Sequence, residues 1–341
     1  MNFSIKRLLT ILIIVGWRTA FAQPADDAHS LVQQAVQFNK DGKYTEAIEK
    51  YSAALKIDSN NIYANYGIAY SLLASGRGKE GIPNLQKVIR SKSNLIAEAD
   101  DLLGNIYDKE HESAKAIDAY NAAIKADAKY QHAYYNLGLV YFRDKKYAEA
   151  EKYAIEAIKL DPKHANSQRM YALVTFHQNK RAPALLGFCS FILLEPQTAR
   201  SAEAFGNMQH ILQGGVLKPA PGETSPQATD ANTVALNQAI TQAVAGAGKK
   251  KYVTPADLLT SQLNLILNAL GPLAEKQTGD DFFRKYYAAY FYKLAQSPNM
   301  EAFSRLIGAG ASKDEYTKWA NEHSKEVADL DRWIGATERG F

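Results

Sequence analysis

Residues able to carry out chemistry are present in this sequence, but their spacing matches no catalytic motif. The seven histidines are scattered, and none stands four residues from another with a glutamate between them, as a zinc-protease helix requires. There is no Gly-x-Ser-x-Gly motif, no phosphate-binding loop, and no glycine-rich dinucleotide fingerprint that follows a strand. We therefore predict a non-catalytic protein that needs no cofactor.

Acidic side chains are the candidate ligands for a metal ion. Glu98, Asp101 and Asp108 could together hold a cation through their oxygens. Solvated acids are the commoner explanation of such a group, so we predict no metal site. One alternative function is a hydrolase-like enzyme with its site in the C-terminal part. Its polar candidates are Asp280, Asp281, Arg284 and His323.

A single cysteine excludes an internal disulfide. Cys189 lies in residues 185–194, a stretch with charge only at its margins, which favours a buried side chain over a reactive thiol. The fold must therefore be stabilised by packing.

The first 22 residues have the order of a secretory signal peptide. A cationic start precedes ten mostly apolar residues, 8–17, and Ala20-Phe21-Ala22 offers a cleavage site. Ten helical residues rise about 15 Å, roughly half of the hydrocarbon thickness of a bilayer, so an uncleaved anchor is the weaker interpretation. We predict cleavage after Ala22, a periplasmic or secreted location, and no stable membrane anchor afterwards.

The charge balance argues against nucleic acid as a partner. The formal net charge of +4 includes Lys6, Arg7 and Arg18, which cleavage would remove, leaving 37 basic against 36 acidic residues. A net charge near +1 gives no broad positive field for phosphate groups.

The sequence repeats itself with a period of 34 residues. Similar segments begin at Ala28, Ile62, Ala97, Gln131 and Ala165, with a half-repeat at Ala199. Fourteen of the sixteen residues at repeat positions 8, 20 and 27 are Gly or Ala, which lets antiparallel helices approach closely. Because one such helix pair cannot bury its apolar face alone, the period indicates a stacked solenoid.

These residues resemble the tetratricopeptide-repeat family. The fourth repeat carries the large, small and turn residues of that family most completely: Tyr134, Leu137, Gly138, Tyr141, Tyr147, Ala150, Ala157 and Pro162. The second repeat departs from the pattern at Gly76, Gly78 and Gly81, so we expect a loose turn there. The resemblance implies an all-α, right-handed solenoid of about five repeats plus a capping helix over residues 28–213, and binding of proteins or peptides.

In this family the first helix of each repeat lines the concave surface, with repeat positions 2, 5, 9 and 12 facing a ligand. Those positions are rich in aromatic residues here, which suit interfaces. The predicted peptide-binding residues are Tyr63, Tyr66, Tyr70, Asp101, Asn105, Tyr135, Phe142, Arg169 and Phe176. Val32 and Val36 stand where some members use Lys and Asn to clamp a C-terminal carboxylate, which argues against that ligand. Alternatively, the tyrosines pack on neighbouring first helices or under the C-terminal half of the chain.

The repeats are followed by a predicted linker and a predicted helical bundle. Residues 214–232 contain three Gly and three Pro, whereas residues 233–341 look helical. Thr254-Pro255 begins a helix there, and Gly271-Pro272 is expected to end it. Seven aromatic residues within 282–292 favour a segment central to the bundle over one docked on the repeats or on a partner.

The second helix of the fifth repeat, residues 184–194, is apolar nearly all round. This composition predicts that other elements cover its outer side, and the half-repeat from Ala199 to Gln213 is a candidate cap.

These patterns predict a non-catalytic interaction protein of the bacterial cell envelope that binds a peptide or protein segment. A glycan-binding module that stacks sugars on the tyrosines is a further alternative.

Overall fold

A computed structural model describes residues 27–214, 230–277 and 282–341 of the chain. Within these residues all regular structure is helical, as predicted. The predicted signal peptide, residues 1–22, lies outside the described residues, and so does most of the predicted linker. The chain separates into two compact units, with the division between Asn84 and Leu85. We call them the N-terminal unit and the C-terminal unit.

Three helices and a short turn make up the described part of the N-terminal unit: α1 (Ala28–Lys40), α2 (Tyr44–Ile57), α3 (Ile62–Ala74) and a 3-10 turn (Gly78–Gly81). Helices α1 and α3 begin at the predicted repeat starts. The side chain of Asp27 caps α1 by accepting from the amide of Ser30, and Asn61 caps α3 in the same way.

Close contact between helix backbones explains why the second repeat is irregular. A Cβ atom added at Gly81 would lie 2.7 Å from the Cα of Ala69, so the backbones touch where the family pattern places small residues. The 3-10 turn takes up the start of the second helix, and α4 (Ile82–Arg90) is only nine residues long.

The remaining repeats form regular helix pairs in the C-terminal unit. Their helices are α5 (Ile96–Lys109), α6 (Ser113–Ala126), α7 (Gln131–Arg143), α8 (Tyr147–Leu160), α9 (Ala165–His177), α10 (Arg181–Leu194) and α11 (Ala199–Leu212). The last three first helices begin at the predicted starts, and α5 begins one residue early. Gly104 meets the ring of Tyr120, since an added Cβ would lie 2.5 Å from it. Small residues at the predicted positions therefore set the helix spacing.

Six further α-helices and a π-helical segment follow within the described residues. They are α12 (Ala231–Ala247), α13 (Pro255–Glu275), the π segment (Phe283–Ala288), α14 (Ala289–Ala295), α15 (Met300–Gly308), α16 (Lys313–Glu322) and α17 (Ser324–Ala336). Thr254 caps α13 through a reciprocal capping box with Asp257, with Pro255 in the first turn, as predicted.

The predicted end of α13 at Gly271-Pro272 is wrong, because the helix continues to Glu275. Pro272 is exposed, so its ring meets no neighbouring helix, and its cost to α13 is one lost backbone hydrogen bond and crowding against the preceding turn. Gly271 is buried against Tyr292, whose ring an added Cβ would approach to 2.4 Å. Close packing, and not helix termination, explains this glycine.

One buried core joins the last repeats to the C-terminal helices. The ring of Tyr287 in the π segment stacks on Tyr171 of α9 at 5.0 Å, and Tyr287 Oη donates to Gln168 Oε1 at 2.5 Å. The aromatic segment is thus core, as predicted, but it packs on the fifth repeat as well as on its own bundle. The division into separate domains at residues 214–232 stays a prediction.

Helix α10 is covered on all sides, as its composition predicts. Residues 182–192 are buried, including Cys189. Helix α9 covers one side of α10, and α11, α12, α15 and the π segment cover the others. Burial raises the pKa of the Cys189 thiol, which keeps it protonated and unreactive.

None of the helices described in residues 27–214, 230–277 and 282–341 has the length and apolar character needed to cross a membrane.

Candidate peptide-binding surface

Three of the predicted binding residues lie on α3 of the N-terminal unit. Tyr63, Tyr66 and Tyr70 are spaced by three and four residues, which places them on one side of the helix. Tyr63 is 54% exposed and Tyr70 is 45% exposed, whereas Tyr66 is half-buried. Two large rings are therefore accessible on this face.

Buried hydrogen bonds fix the position of α3. Asn39 of α1 donates to the hydroxyl of Tyr51 on α2 at 3.3 Å, and Ser71 of α3 donates to Asn39 Oδ1 at 2.7 Å. Gly67 gives the Tyr51 ring room to lie against the α3 backbone. Because all three helices are tied together, the exposed tyrosines are presented from a rigid support, which lowers the entropic cost of binding.

In the C-terminal unit, two predicted polar candidates of α5 bond to neighbouring helices, Asp101 to α7 and Asn105 to α6. Asp101 accepts from Asn136 on α7 at 2.9 Å and from Asn105 on its own helix at 3.2 Å. Asn105 Oδ1 accepts from the hydroxyl of Tyr120 at 2.9 Å. Burial raises the pKa of the Asp101 carboxyl group, and the hydrogen bond from Asn136 works against that rise. Asp101 and Asn105 therefore hold the helices together, and Asp101 is itself buried.

Charged residues repeat this pattern along the array. Arg169 of α9 donates to both carboxylate oxygens of Glu203 on α11, at 2.9 and 2.8 Å. Arg143 of α7 pairs with Asp108 of α5 through two nitrogens, Nη1 and Nη2, one to each carboxylate oxygen. These pairs orient the side chains across the surface and leave little net charge on either pair.

A half-buried aromatic group lies near the start of the first helices. The ring of Tyr135 meets His164 edge-on at 5.1 Å, and the His164 Nδ1 accepts from Gln131 at 2.9 Å. Burial lowers the pKa of His164, which favours the neutral ring that this hydrogen bond requires. Burial also raises the pKa of Tyr135, while Arg200 and Arg169 lower it, so two guanidinium groups lie close to this tyrosine.

A second aromatic group lies near the end of the first helices. His177 stacks on Tyr147 at 4.9 Å and meets the half-buried Phe142 at 5.3 Å. Burial lowers the pKa of His177 as well. Phe176 is only 6% exposed and packs on Phe188 at 6.0 Å. Phe142 can contact a ligand, whereas Phe176 supports the surface from below.

The sequence reasoning missed several residues of this surface: Asn136, Arg143, Tyr147, His164 and His177. The sequence contained a pattern that could have identified some of these residues. Asp108 and Arg143 are 35 residues apart, and Arg169 and Glu203 are 34 apart, close to the repeat period. Pairing complementary polar residues one period apart would have found these contacts.

The positions of the acidic side chains do not support the hypothesis that they bind a metal ion together. Within the part of the chain that the structure describes, no three His, Cys, Asp or Glu side chains lie where they could share a metal ion. Asp108 is paired with Arg143, and Asp101 with two amides.

The residues named for the hydrolase alternative are not brought together where they are described. Asp280 and Asp281 lie outside the described residues. Arg284 pairs with Glu275 at 3.6 Å, whereas the ring of His323 stacks on Trp319 at 4.5 Å.

Family profiles match both units. A profile described as a tetratricopeptide repeat matches residues 102–165 and 135–184, and one described as a TPR repeat matches residues 36–76. No curated protein is significantly similar to the chain.

Several solved structures are similar to about half of this chain. The PilF protein of Pseudomonas aeruginosa is 20% identical, with a TM-score of 0.50 over 55% of this chain and 84% of that chain. MamA of Desulfovibrio magneticus RS-1 is 20% identical, with a TM-score of 0.43 over 50% and 96% of the two chains. PilW, a type IV pilus biogenesis factor, is 18% identical, with a TM-score of 0.47 over 53% and 87%.

At these identities the likeness concerns the fold alone. The 34-residue helix pairs, the buried small residues at their contacts and the matching profiles show that residues 36–76 and 102–184 of this chain form tetratricopeptide repeats.

Proposed function

We propose that this chain is a non-catalytic interaction protein of the bacterial cell envelope that binds a peptide or protein segment on the first-helix surface of its repeats. Tetratricopeptide repeats are protein-interaction modules. The observation that carries the proposal is the exposure of Tyr63 and Tyr70, because large rings on a rigid helix are typical interface anchors.

The two units offer different surfaces to a ligand. In the N-terminal unit the accessible groups are tyrosine rings and their hydroxyls. In the C-terminal unit Tyr135 and Phe142 are half-buried, and Arg169 and Arg200 lie near Tyr135. We expect this second surface to prefer a segment that presents apolar side chains to the two rings, since Arg169 is already paired with Glu203 and Arg200 with Glu195.

The cell-envelope part of the proposal is supported by residues 1–22 of the sequence. Its test is fractionation of cells that express the full chain, followed by N-terminal sequencing of the exported protein. A mature chain that begins at Gln23 in the periplasmic or secreted fraction supports the proposal, whereas an intact leader in the cytoplasm contradicts it.

Peptide binding is tested with a displayed peptide library selected on the purified mature protein. Selected peptides are then titrated against Tyr63→Ala/Tyr70→Ala and against Tyr135→Ala/Phe142→Ala. We expect one of the two double variants to weaken binding by about five- to thirtyfold, the cost of losing interface anchors worth about 1–2 kcal/mol.

Val253→Ala provides the matched control, because Val253 is 95% exposed and lies outside the repeats. It should leave binding unchanged. Equal affinity of every selected peptide for all variants would contradict the proposed surface. Binding of sugars on a glycan array, with no selectable peptide, would favour the glycan-binding alternative.

A further inference from the structure

A cavity of about 290 Å³ lies in the C-terminal unit, and none of the predicted peptide-binding residues lines it. Helix α11 forms one wall, and α13, α15 and the start of α16 form the others. Its size is close to the lower end of the range for small-molecule sites in proteins. Apolar side chains such as Phe205, Leu212 and Leu259 make up much of the lining.

The cavity also has polar groups without partners inside the protein. The Nε atom of Arg305 is buried and has no hydrogen-bond partner in the described part of the chain. Gln262, which is half-buried, also lines the cavity, and no hydrogen bond of its side-chain amide is found among the described residues, whereas Gln209 and Gln213 at the rim are exposed to water. A buried donor without a partner costs about 1–3 kcal/mol, which an acceptor on a ligand would recover.

The charges around Arg305 decide which ligands fit. Its guanidinium group lies 2.8 Å from Asp257, 3.3 Å from Glu301 and 4.0 Å from Glu315. Three carboxylates already exceed the single positive charge, so an additional anion would be repelled. The guanidinium carbon of Arg305 lies 5.7 Å from the centre of the Trp319 ring, which adds a favourable cation–π contact. Asp257 and Glu301 lie outside the lining, and within it Glu315 balances Arg305, so a bound cation meets no excess negative charge in the cavity.

We propose that this cavity binds a neutral, amphipathic small molecule, with an apolar body against the leucine and phenylalanine side chains and an amide or hydroxyl group toward Arg305 and Gln262. The ligand bridges the last helix of the repeat array and the C-terminal helices. Its binding therefore stabilises the attachment of α11 to α13 and α15. This site is independent of peptide binding by the repeats.

The test uses three probes of similar shape and different charge: benzamide, benzoate and benzylammonium. Each is titrated into the full mature chain, with ligand-observed NMR for binding and thermal unfolding for stabilisation. We expect benzamide to bind at a saturable site and to raise the unfolding temperature, and both charged probes to bind more weakly. Tighter binding of either charged probe, or no saturable binding of benzamide up to its solubility, overturns the proposal.

Three variants test where benzamide binds. Ala256→Trp places a large ring in the cavity wall and should abolish benzamide binding, whereas Ala245→Trp, on the exposed side of α12, should not. Gln262→Leu keeps the side-chain size and removes the amide, so it should weaken benzamide about two- to tenfold. Circular dichroism verifies that each variant is folded. Unchanged benzamide affinity in folded Ala256→Trp would place its binding elsewhere and overturn the assignment.

Discussion

Gly104 and Gly206 occupy the same repeat position, yet only Gly104 faces a neighbouring ring. An added Cβ at Gly104 would lie 2.5 Å from Tyr120, whereas nothing lies within 4 Å of one at Gly206. We expect Gly104→Ala to lower the free energy of unfolding by about 1–2 kcal/mol, because overpacking exceeds the gain in helix propensity.

The matched variant Gly206→Ala should raise the free energy of unfolding by about 0.5–1 kcal/mol, since it gains helix propensity without a steric conflict. Urea unfolding of both variants measures the difference. Changes of the same sign in the two variants would show that the small positions do not set the helix spacing.

Arg339 lies over a cluster of aromatic rings. Its guanidinium carbon is 4.0 Å from the centre of the Tyr290 ring and 5.0 Å from that of Tyr286, and Nη1 donates to Ser190 Oγ at 2.7 Å. Lysine keeps the charge but lacks the planar fork. We expect Arg339→Lys to lower the free energy of unfolding by about 1–2 kcal/mol.

Arg332→Lys is the control for this substitution, because Arg332 is 75% exposed and makes only a surface ion pair with Asp329. Its unfolding curve should match that of the wild type. An equal loss in both variants would mean that stacking on the aromatic cluster adds nothing.

At the scale of elements, α13 contains a proline that lowers the stability of the helix and makes no compensating contact among the described residues. Pro272 lies in the last turns and is exposed, whereas Pro255 occupies the first turn, where no helical amide bond is lost. We expect Pro272→Ala to raise the free energy of unfolding by about 1–3 kcal/mol and Pro255→Ala to change it little. Denaturant unfolding compares the two. A stabilising effect of Pro255→Ala equal to that of Pro272→Ala would contradict this reasoning.

The π segment shows how an element can depend on its neighbours. Tyr286 and Tyr287 both reach Gln168 of α9, at 2.7 and 2.5 Å, so both sides of one buried amide are satisfied. A regular α-helical path would rotate consecutive side chains by 100°, whereas the wider π turn changes which rings face α9. The aromatic composition predicted burial of this segment but not the partner that it packs against.

At the scale of the whole molecule, half-buried histidines make stability depend on pH. Burial lowers the pKa of His164 and His177, so below about pH 6.5 the unfolded chain binds more protons than the folded chain. The free energy of unfolding therefore falls as the pH drops from about 6.5 through the lower folded pKa values. Burial raises the pKa of the Asp100 carboxyl group to about 6, which has the opposite effect on stability. The stabilisation from Asp100 is fully present below its ordinary pKa and is lost as the pH rises through about 6.

The histidine contribution is isolated by the double variant His164→Gln/His177→Gln. Its unfolding free energy should fall less than that of the wild type between pH 7 and pH 5, measured by urea titration at each pH. Above pH 8 the difference between the two proteins should be constant, because both rings are neutral. Parallel profiles throughout would show that burial of these rings does not control the acid response.

The sequence by itself determined the helical repeat, because small residues every 34 positions are a local requirement of close helix contacts that can be read without coordinates. It also determined the burial of Cys189 and of the aromatic run, since both compositions are too apolar for solvent. Tertiary structure decided which candidates remain accessible. Asp101 and Phe176 are buried, whereas Tyr63 and Tyr70 are exposed, because contacts between helices, and not repeat position alone, set exposure.

Tertiary structure also decided the cavity beside α11. Its walls come from segments that are distant in the chain and share no sequence period. No local pattern specifies such a space, since a cavity depends on how well separate helices fill the volume between them.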